Sequence, residues 1–400
     1  MPILNSIVSW LNVKRLHQIE LFKSYPFNVQ QDNLLKIVQK ATDTEWGKKY
    51  GYAAINNIPD FQKTVPLQNY DDIRPYVDRL RDGESNILWP GEIKWFAKSS
   101  GTTNDKSKFI PVSKEALEDC HFRAGKDVLA IYTNQYPETK IFTGKGLTLG
   151  GSHRINNFSN QSFYGDLSAI LIENIPFWAD FIRTPKSEIA LMEKWEEKIE
   201  KIAESTTKEN VTNIAGVPSW NLVLMKYILE YTGKNNLLEI WPNLELFTHG
   251  GVSFGPYREQ FKRLIPSPNM HYMETYNASE GFFAIQDDPN HDDMLLMLDY
   301  GIFYEFIPLE QLSLPNPEVL TIEKVELNRN YAMVITTNSG LWRYVIGDTV
   351  IFTSLSPHKI KISGRTKHFI NVFGEELMID NAEKALVIAC EKTGAQIKEY

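Results

Sequence analysis

Residues 97–108 read Ala97-Lys98-Ser99-Ser100-Gly101-Thr102-Thr103-Asn104-Asp105-Lys106-Ser107-Lys108, and an apolar run stands on each side. Ile93, Trp95 and Phe96 precede the stretch, and Phe109, Ile110 and Val112 follow it. Apolar flanks around a polar, glycine-containing centre predict two strands joined by a loop. The loop's content suits a polyphosphate. Hydroxyls and backbone N–H groups donate to phosphate oxygens, Gly101 lets the backbone approach, and Lys106 or Lys108 supplies charge. A polar surface hairpin would have the same composition. No G-x-x-x-x-G-K-[ST] occurs, and Gly144-Lys145-Gly146 lacks the third glycine of a dinucleotide fingerprint. A nucleotide bound here is therefore bound by a loop of another kind.

Composition narrows the class. The 400 residues are 42% hydrophobic and 12% aromatic, enough for a packed core and too apolar for disorder. The length suits two or three domains, or one large domain with a subdomain. A net charge of −8 speaks against nucleic acid as a partner. Cys120 and Cys390, the two cysteines of the sequence, make neither a disulfide framework nor a zinc site. They point to a reducing compartment, the cytoplasm. At the N-terminus, Ile3-Leu4, Ile7-Val8 and Trp10-Leu11 are short apolar pieces interrupted by Asn5, Ser6 and Ser9. That is neither a signal peptide nor a spanning helix. The expectation is a monomer that acts on small molecules, away from membranes.

Apolar spacing predicts helices over 3–23, 32–50 and 71–80, then a strand over 92–96 feeding the loop. Ser113 is a good N-cap for a long helix carrying Leu117 and Phe122. Strands (141–149, 211–216, 244–247) then alternate with helices (186–204, 218–231, 257–264), Pro218 standing at one helix start. Alternation of this kind indicates an α/β core with a largely parallel sheet, reaching to about residue 270. From 271 to about 360 the texture becomes β-rich, with short runs at 282–286, 294–298, 302–307, 332–336, 350–353 and 360–362. A last run, 368–372, follows it. This reads as a β-rich subdomain attached to the core.

Three further stretches carry chemistry. In Tyr272-Met273-Glu274-Thr275-Tyr276-Asn277-Ala278-Ser279-Glu280-Gly281, an aromatic, a hydroxyl and a carboxylate stand within five residues. They suit a base, a phosphate and Mg²⁺, or else a solvated turn between strands. Gly347-Asp348, within Gly340-Leu341-Trp342-Arg343-Tyr344-Val345-Ile346-Gly347-Asp348-Thr349, reads as a turn. Its carboxylate could accept both ribose hydroxyls, or simply close an Asx-turn. The third, Ile362 to Glu376 with Gly364, Arg365 and Lys367, reads as a hairpin with a charged edge. A rival signal is Gly251-Val252-Ser253-Phe254-Gly255, which matches the nucleophile elbow G-x-S-x-G between a predicted strand and helix. His271, His291, His358 and His368 lie downstream of it, in the order a serine hydrolase needs.

Taken in this order, the stretches resemble the acyl-adenylate-forming enzymes, most closely the Gretchen Hagen (auxin-responsive) family of acyl-acid amido synthetases. The resemblance rests on Ser99-Ser100-Gly101-Thr102-Thr103 with Lys108-Phe109-Ile110-Pro111, on Tyr276-Asn277-Ala278-Ser279-Glu280-Gly281, and on Gly340-Leu341-Trp342-Arg343-Tyr344 with Gly347-Asp348. Tyr70-Asp71-Asp72-Ile73, Gly83-Glu84-Ser85 and Leu88-Trp89-Pro90-Gly91 add to it, so it spans nearly the whole chain. It implies a large adenylating domain of mixed α/β layers over 1–360, using ATP and Mg²⁺ on a small carboxylic acid with an amino acid as acceptor. Ser99, Ser100, Gly101, Thr102 and Thr103 would grip the phosphates, with Lys108, Ser279 and Glu280 catalytic. Gly250, Gly251 and Val252 would line the adenine pocket. Tyr276 would stack on the base, Asn277 and Ala278 would also bind the nucleotide, and Ser279 would meet the α-phosphate. Glu280 would hold Mg²⁺, Asp348 the ribose, and Arg343 and Tyr344 would support that site. Arg365 would join the nucleotide-binding residues, on the strand-and-turn that resembles the hinge to a mobile C-terminal domain. For the acyl pocket, His153, Arg154 and Phe163 are the candidates.

The chemistry explains these residue types. A carboxylate must attack an anionic α-phosphorus, so positive charge and backbone donors must offset the repulsion as pyrophosphate leaves. An amine, or in a CoA ligase a thiol, then attacks the acyl-adenylate. The sequence departs from the superfamily pattern at its end. Only 36 residues follow Gly364, where a full lid needs on the order of 50 or more. The expectation is that 361–400 form the hinge and the start of a truncated lid, without an assignable C-terminal lysine. A serine hydrolase and a non-catalytic nucleotide-binding module stand as readings of other classes.

Overall fold

The computed structural model describes residues 2–99, 107–151, 156–159 and 162–366, with short pieces at 369–372, 375–378, 385–386, 388–389 and 392–393. Ser100, Gly101, Thr102 and Thr103, the acyl-pocket candidates His153 and Arg154, Lys367 and most of the expected helix 381–392 lie outside the described residues.

Five helices open the chain: Pro2–Ser24, Pro26–Lys40, Glu45–Lys49, Ile58–Thr64 and Tyr70–Arg81. The helix expected over 32–50 is thus two. Its start moves back to Pro26, since proline suits the first helical position. It breaks because Thr44 leaves helical geometry and its Oγ1 accepts the Gly47 N–H at 2.9 Å, capping a second short helix. Gly47 permits the reversal: a Cβ there would sit 2.1 Å from the Ala41 carbonyl oxygen. Tyr70–Arg81 follows the expected bounds closely, with Asn69 and Asp72 forming a capping box. Ser113 caps its helix as expected, its Oγ accepting the Ala116 N–H at 3.0 Å.

Trp95–Ser99 and Lys108–Val112 pair antiparallel with Ser99 opposite Lys108. Ser99 and Lys108 therefore lie side by side at one end of the ladder. The strand begins later than the expected 92–96 and ends at Ser99. Ser162–Gly165 pairs parallel on the other edge of Trp95–Ser99, and Asn156–Ser159 completes this four-stranded sheet.

The second sheet has eleven strands. Arg183–Thr184, Lys145–Thr148, Val211–Gly216 and Leu246–His249 run parallel. Helices Trp195–Thr206, Pro218–Thr232 and Arg258–Leu264 bury Ile199, Ile202, Leu222, Met225, Ile228 and Phe261 in one apolar cluster with Val211, Ile214 and Phe247. His271–Ala278 then joins two regimes. Residues 271–274 pair parallel with Leu246–His249, and 275–278 pair antiparallel with Gly281–Ile285. Met294–Leu296, His358–Arg365, Tyr344–Leu355, Asn330–Thr337 and Ile302–Pro308 extend the sheet antiparallel.

Two further expected elements differ. The strand over 141–149 shrinks to Lys145–Thr148 after a 3-10 turn at Ile141–Thr143. At Gly144 the backbone crowds Asn210, where a Cβ would lie 2.1 Å from the carbonyl oxygen. The helix over 186–204 splits into Ser187–Ala190 and Trp195–Thr206. Ala190 and Leu191 turn instead into a small apolar cluster with Ala169 and Ile172.

Candidate nucleotide site

The parallel strands bring their carboxyl ends to one edge, where ligand crevices form in open α/β sheets. Glycines stand there: Gly150-Gly151 after Lys145–Thr148, Gly216 closing Val211–Gly216, and Gly250-Gly251 after Leu246–His249. The turns adjoin one another. A Cβ on Gly216 would lie 3.6 Å from the Leu149 carbonyl oxygen, and one on Gly251 3.5 Å from Val217 Cγ2. Gly250 admits no side chain, since a Cβ would meet the Thr275 carbonyl oxygen at 2.4 Å and Asn277 Oδ1 at 3.2 Å. Gly251 holds φ +86°, a conformation cheap only for glycine. Gly250, Gly251 and the half-buried Val252 thus form a shelf beside the exposed Asn277.

Ala278 ends the joining strand, and Ser279 and Glu280 make the turn into Gly281–Ile285. The expected turn over 272–281 is therefore a strand with a two-residue reversal, which presents Glu280 at its tip. Burial first and the Asp348 charge second push the Glu280 carboxyl up to about 7, against the pull of its own backbone N–H, Lys108 and Arg365. Asp348 lies inside the strand Tyr344–Leu355 rather than at a turn. Gly347, at φ +96°, kinks that strand and reads locally like a turn. One Asp348 oxygen accepts the Tyr276 hydroxyl at 2.7 Å, and the other faces Arg365 Nε at 3.1 Å.

Lys108 opens its strand directly opposite Ser99. Its Nζ lies 3.4 Å from the Tyr344 hydroxyl and near the faces of Tyr70 and Tyr344, at 5.9 and 6.0 Å from the ring centroids. The Tyr70 hydroxyl accepts the Phe109 N–H at 2.8 Å, which holds this strand start. Lys108, Glu280, Asp348 and Arg365 share one electrostatic neighbourhood. Phe163 does not join them. It pairs in register with Trp95, whose ring lies 5.2 Å away, four residues or about 13 Å before Ser99.

Arg343 overturns an expectation. It holds φ +44°, and its side chain bonds none of Lys108, Glu280, Asp348 or Arg365 but Glu305, Gln62 and Val65. Its guanidinium donates twice to Glu305, at 2.9 Å each, and to the carbonyls of Gln62 and Val65 at 2.9 and 2.8 Å. It is a buried staple between the end of Ile58–Thr64 and the strand Ile302–Pro308. Ser253 likewise lacks the geometry of a nucleophile. A nucleophile elbow holds its serine on a strained turn, whereas here Gly251, not Ser253, carries the positive φ. His271 bonds Tyr132, His291 bonds Asp288, and His358 bonds the Ile322 carbonyl. Among the described residues no histidine pairs with Ser253, and His368 lies outside them.

Sequence reasoning missed Lys198. It is 1% exposed, and its Nζ donates to the carbonyls of Gly150 and Gly151 at 2.7 and 3.1 Å. Burial lowers its amine to about 8, with Asp166 opposing. The signal lay in its helix, where a lysine interrupts an apolar face otherwise made by Ile199, Ile202 and Ala203.

The chain superposes on the GH3.15 acyl acid amido synthetase with a TM-score of 0.79, at 17% identity, covering 96% of this chain and 77% of that one. A 2-hydroxyisobutyryl-CoA ligase captured with an acyl-adenylate superposes at 0.58, with 13% identity, covering 90% and 72%. The architecture is the adenylate-forming fold. The GH3 family N-terminal domain matches residues 15–270 and the GH3 family central domain residues 295–365. The protein belongs to the GH3 family. A jasmonoyl–L-amino acid synthetase, JAR4 of Nicotiana attenuata, is 24% identical over 84% of this chain and 68% of its own length.

Proposed function

We propose that this protein activates a small carboxylic acid with ATP and passes the acyl group to the amine of an amino acid. The carrying observation is the grouping of Lys108, Glu280, Asp348 and Arg365 beside the glycine shelf, in a chain of the GH3 family. In the first step the acid's carboxylate attacks the α-phosphorus and pyrophosphate leaves. In the second the amine attacks the acyl carbon and AMP leaves. Lys108, at the base of the phosphate loop, offsets charge on the phosphates. Asp348 accepts the ribose hydroxyls, and the shelf of Gly250, Gly251 and Val252 lets the adenine lie close to the backbone.

The residues fit Mg²⁺. A carboxyl that burial and Asp348 push toward neutrality gains from a cation beside it, and Glu280 would hold the ion. Among the described residues no cluster of three metal-ligating side chains stands ready, so phosphate oxygens would supply the rest of the shell. When bound, the ion neutralises phosphate charge.

No helix of the described residues is long and apolar enough to cross a membrane, and ATP dependence suits the cytoplasm. The likeness to a CoA ligase supports a second reading, with a thiol as acceptor. The test incubates the protein with ATP, Mg²⁺, a panel of carboxylic acids, and either amino acids or CoA, and identifies the products by mass spectrometry. An amide with AMP released supports the reading, a thioester supports the second, and ADP as the only nucleotide product contradicts both.

A further inference from the structure

Tyr276 stands where the family resemblance puts a ring stacked on adenine, yet the ring has no face to offer. It is 4% exposed and forms part of the main apolar core. The Phe283 ring lies 4.8 Å from it, inclined at 58°. What Tyr276 turns toward the nucleotide residues is its hydroxyl, which donates to Asp348 Oδ2 at 2.7 Å. These residues stand on strands with three others between them in the sheet order. The antiparallel half must curl to bring them together, and this bond spans the gap.

The bond falls where a ribose would be read. Each carboxylate oxygen accepts along two lone-pair directions. Tyr276 uses one on Oδ2, and Arg365 forms an ion pair with Oδ1 at 3.1 Å. At least one direction per oxygen remains, the pattern that a vicinal diol fills. Burial and the adjacent Asp348 charge raise the phenol well above its ordinary range, so the hydroxyl stays a donor at any working pH. An O–H···O⁻ bond in a low-dielectric setting is among the stronger kinds, and it fixes the carboxylate's rotation.

We propose that Tyr276 is the positioning residue for ribose recognition: its hydroxyl sets the Asp348 carboxylate to receive the 2′- and 3′-hydroxyls, while its ring serves the core. This rests on the nucleotide reading above. A stacking tyrosine would act through its ring and tolerate phenylalanine. A positioning tyrosine acts through oxygen and does not.

The experiment titrates AMP and 2′-deoxy-AMP calorimetrically into the full chain as wild type, Tyr276→Phe, Asp348→Asn and the double variant. Wild type should prefer AMP. Tyr276→Phe should weaken AMP about tenfold and 2′-deoxy-AMP less, so the preference shrinks. The double variant should bind no worse than Asp348→Asn, because the two changes remove one arrangement. Three results would overturn the proposal alone: wild-type affinity in Tyr276→Phe, an equal loss for both nucleotides, or additive losses in the double variant. The AMP preference is a ratio within each variant, so general loosening of the core cannot imitate its loss. Failure of the wild type to bind AMP would overturn the nucleotide reading, and this proposal with it.

Discussion

On the proposed reading, Asp348 and Glu280 meet the nucleotide through different physics, and substitution separates them. Asp348 offers charge-assisted hydrogen bonds worth about 1.5–3 kcal/mol each at most, so Asp348→Asn should weaken AMP and ATP alike. Glu280 would serve through a cation on the phosphates, so Glu280→Gln should spare AMP and reduce adenylation. Calorimetric titration of AMP and MgATP into each variant checks this. Unchanged AMP binding in Asp348→Asn, or its equal loss in Glu280→Gln, would contradict the assignment. Both residues were legible in the sequence as types, and neither was legible as geometry. Gly347-Asp348 reads as a turn because a glycine at positive φ inside a strand and a glycine in a turn look alike locally. The core placement of the Tyr276 ring depends on Phe283 across a hairpin, which no single window reveals.

At the scale of elements, the strand Val211–Gly216 and the helix beginning at Pro218 were readable because β-branched runs and an N-terminal proline act locally. The bracket of the loop by Trp95–Ser99 and Lys108–Val112 was readable for the same reason. The role of Arg343 was not, since its partner Glu305 lies 38 residues away and no periodicity links them. That pair sets the start of Tyr344–Leu355, the strand that carries Asp348. Arg343→Ala leaves Glu305 buried without its cation and should cost about 3–5 kcal/mol. Urea unfolding checks this as a lower midpoint at unchanged slope. A wild-type midpoint would show that the staple is dispensable.

The molecule as a whole should lose stability in mild acid. Burial holds the imidazole of His249 at about 3 and that of His121 at about 4, against 6.5 in the unfolded chain. The unfolded state therefore binds more protons once the pH falls below about 6.5, and stability declines down to the folded values. By pH 5 each imidazole accounts for a loss of about 2 kcal/mol. Glu280, raised in the fold, opposes this between its ordinary value and about 7. His249 stacks on Phe254, so His249→Phe suits the site and should flatten the decline. Urea unfolding at pH 7 and pH 5 compares the two proteins, and an equal decline in both would contradict the burial argument.

The central claim is that the crevice edge of this fold makes an acyl-adenylate. Exchange of labelled pyrophosphate into ATP, measured with a panel of carboxylic acids and no acceptor, tests it most directly. Adenylation at this crevice gives Mg²⁺-dependent exchange that appears only with particular acids and is lost in Glu280→Gln. Absence of exchange with every acid, from a folded protein that binds AMP, would contradict it.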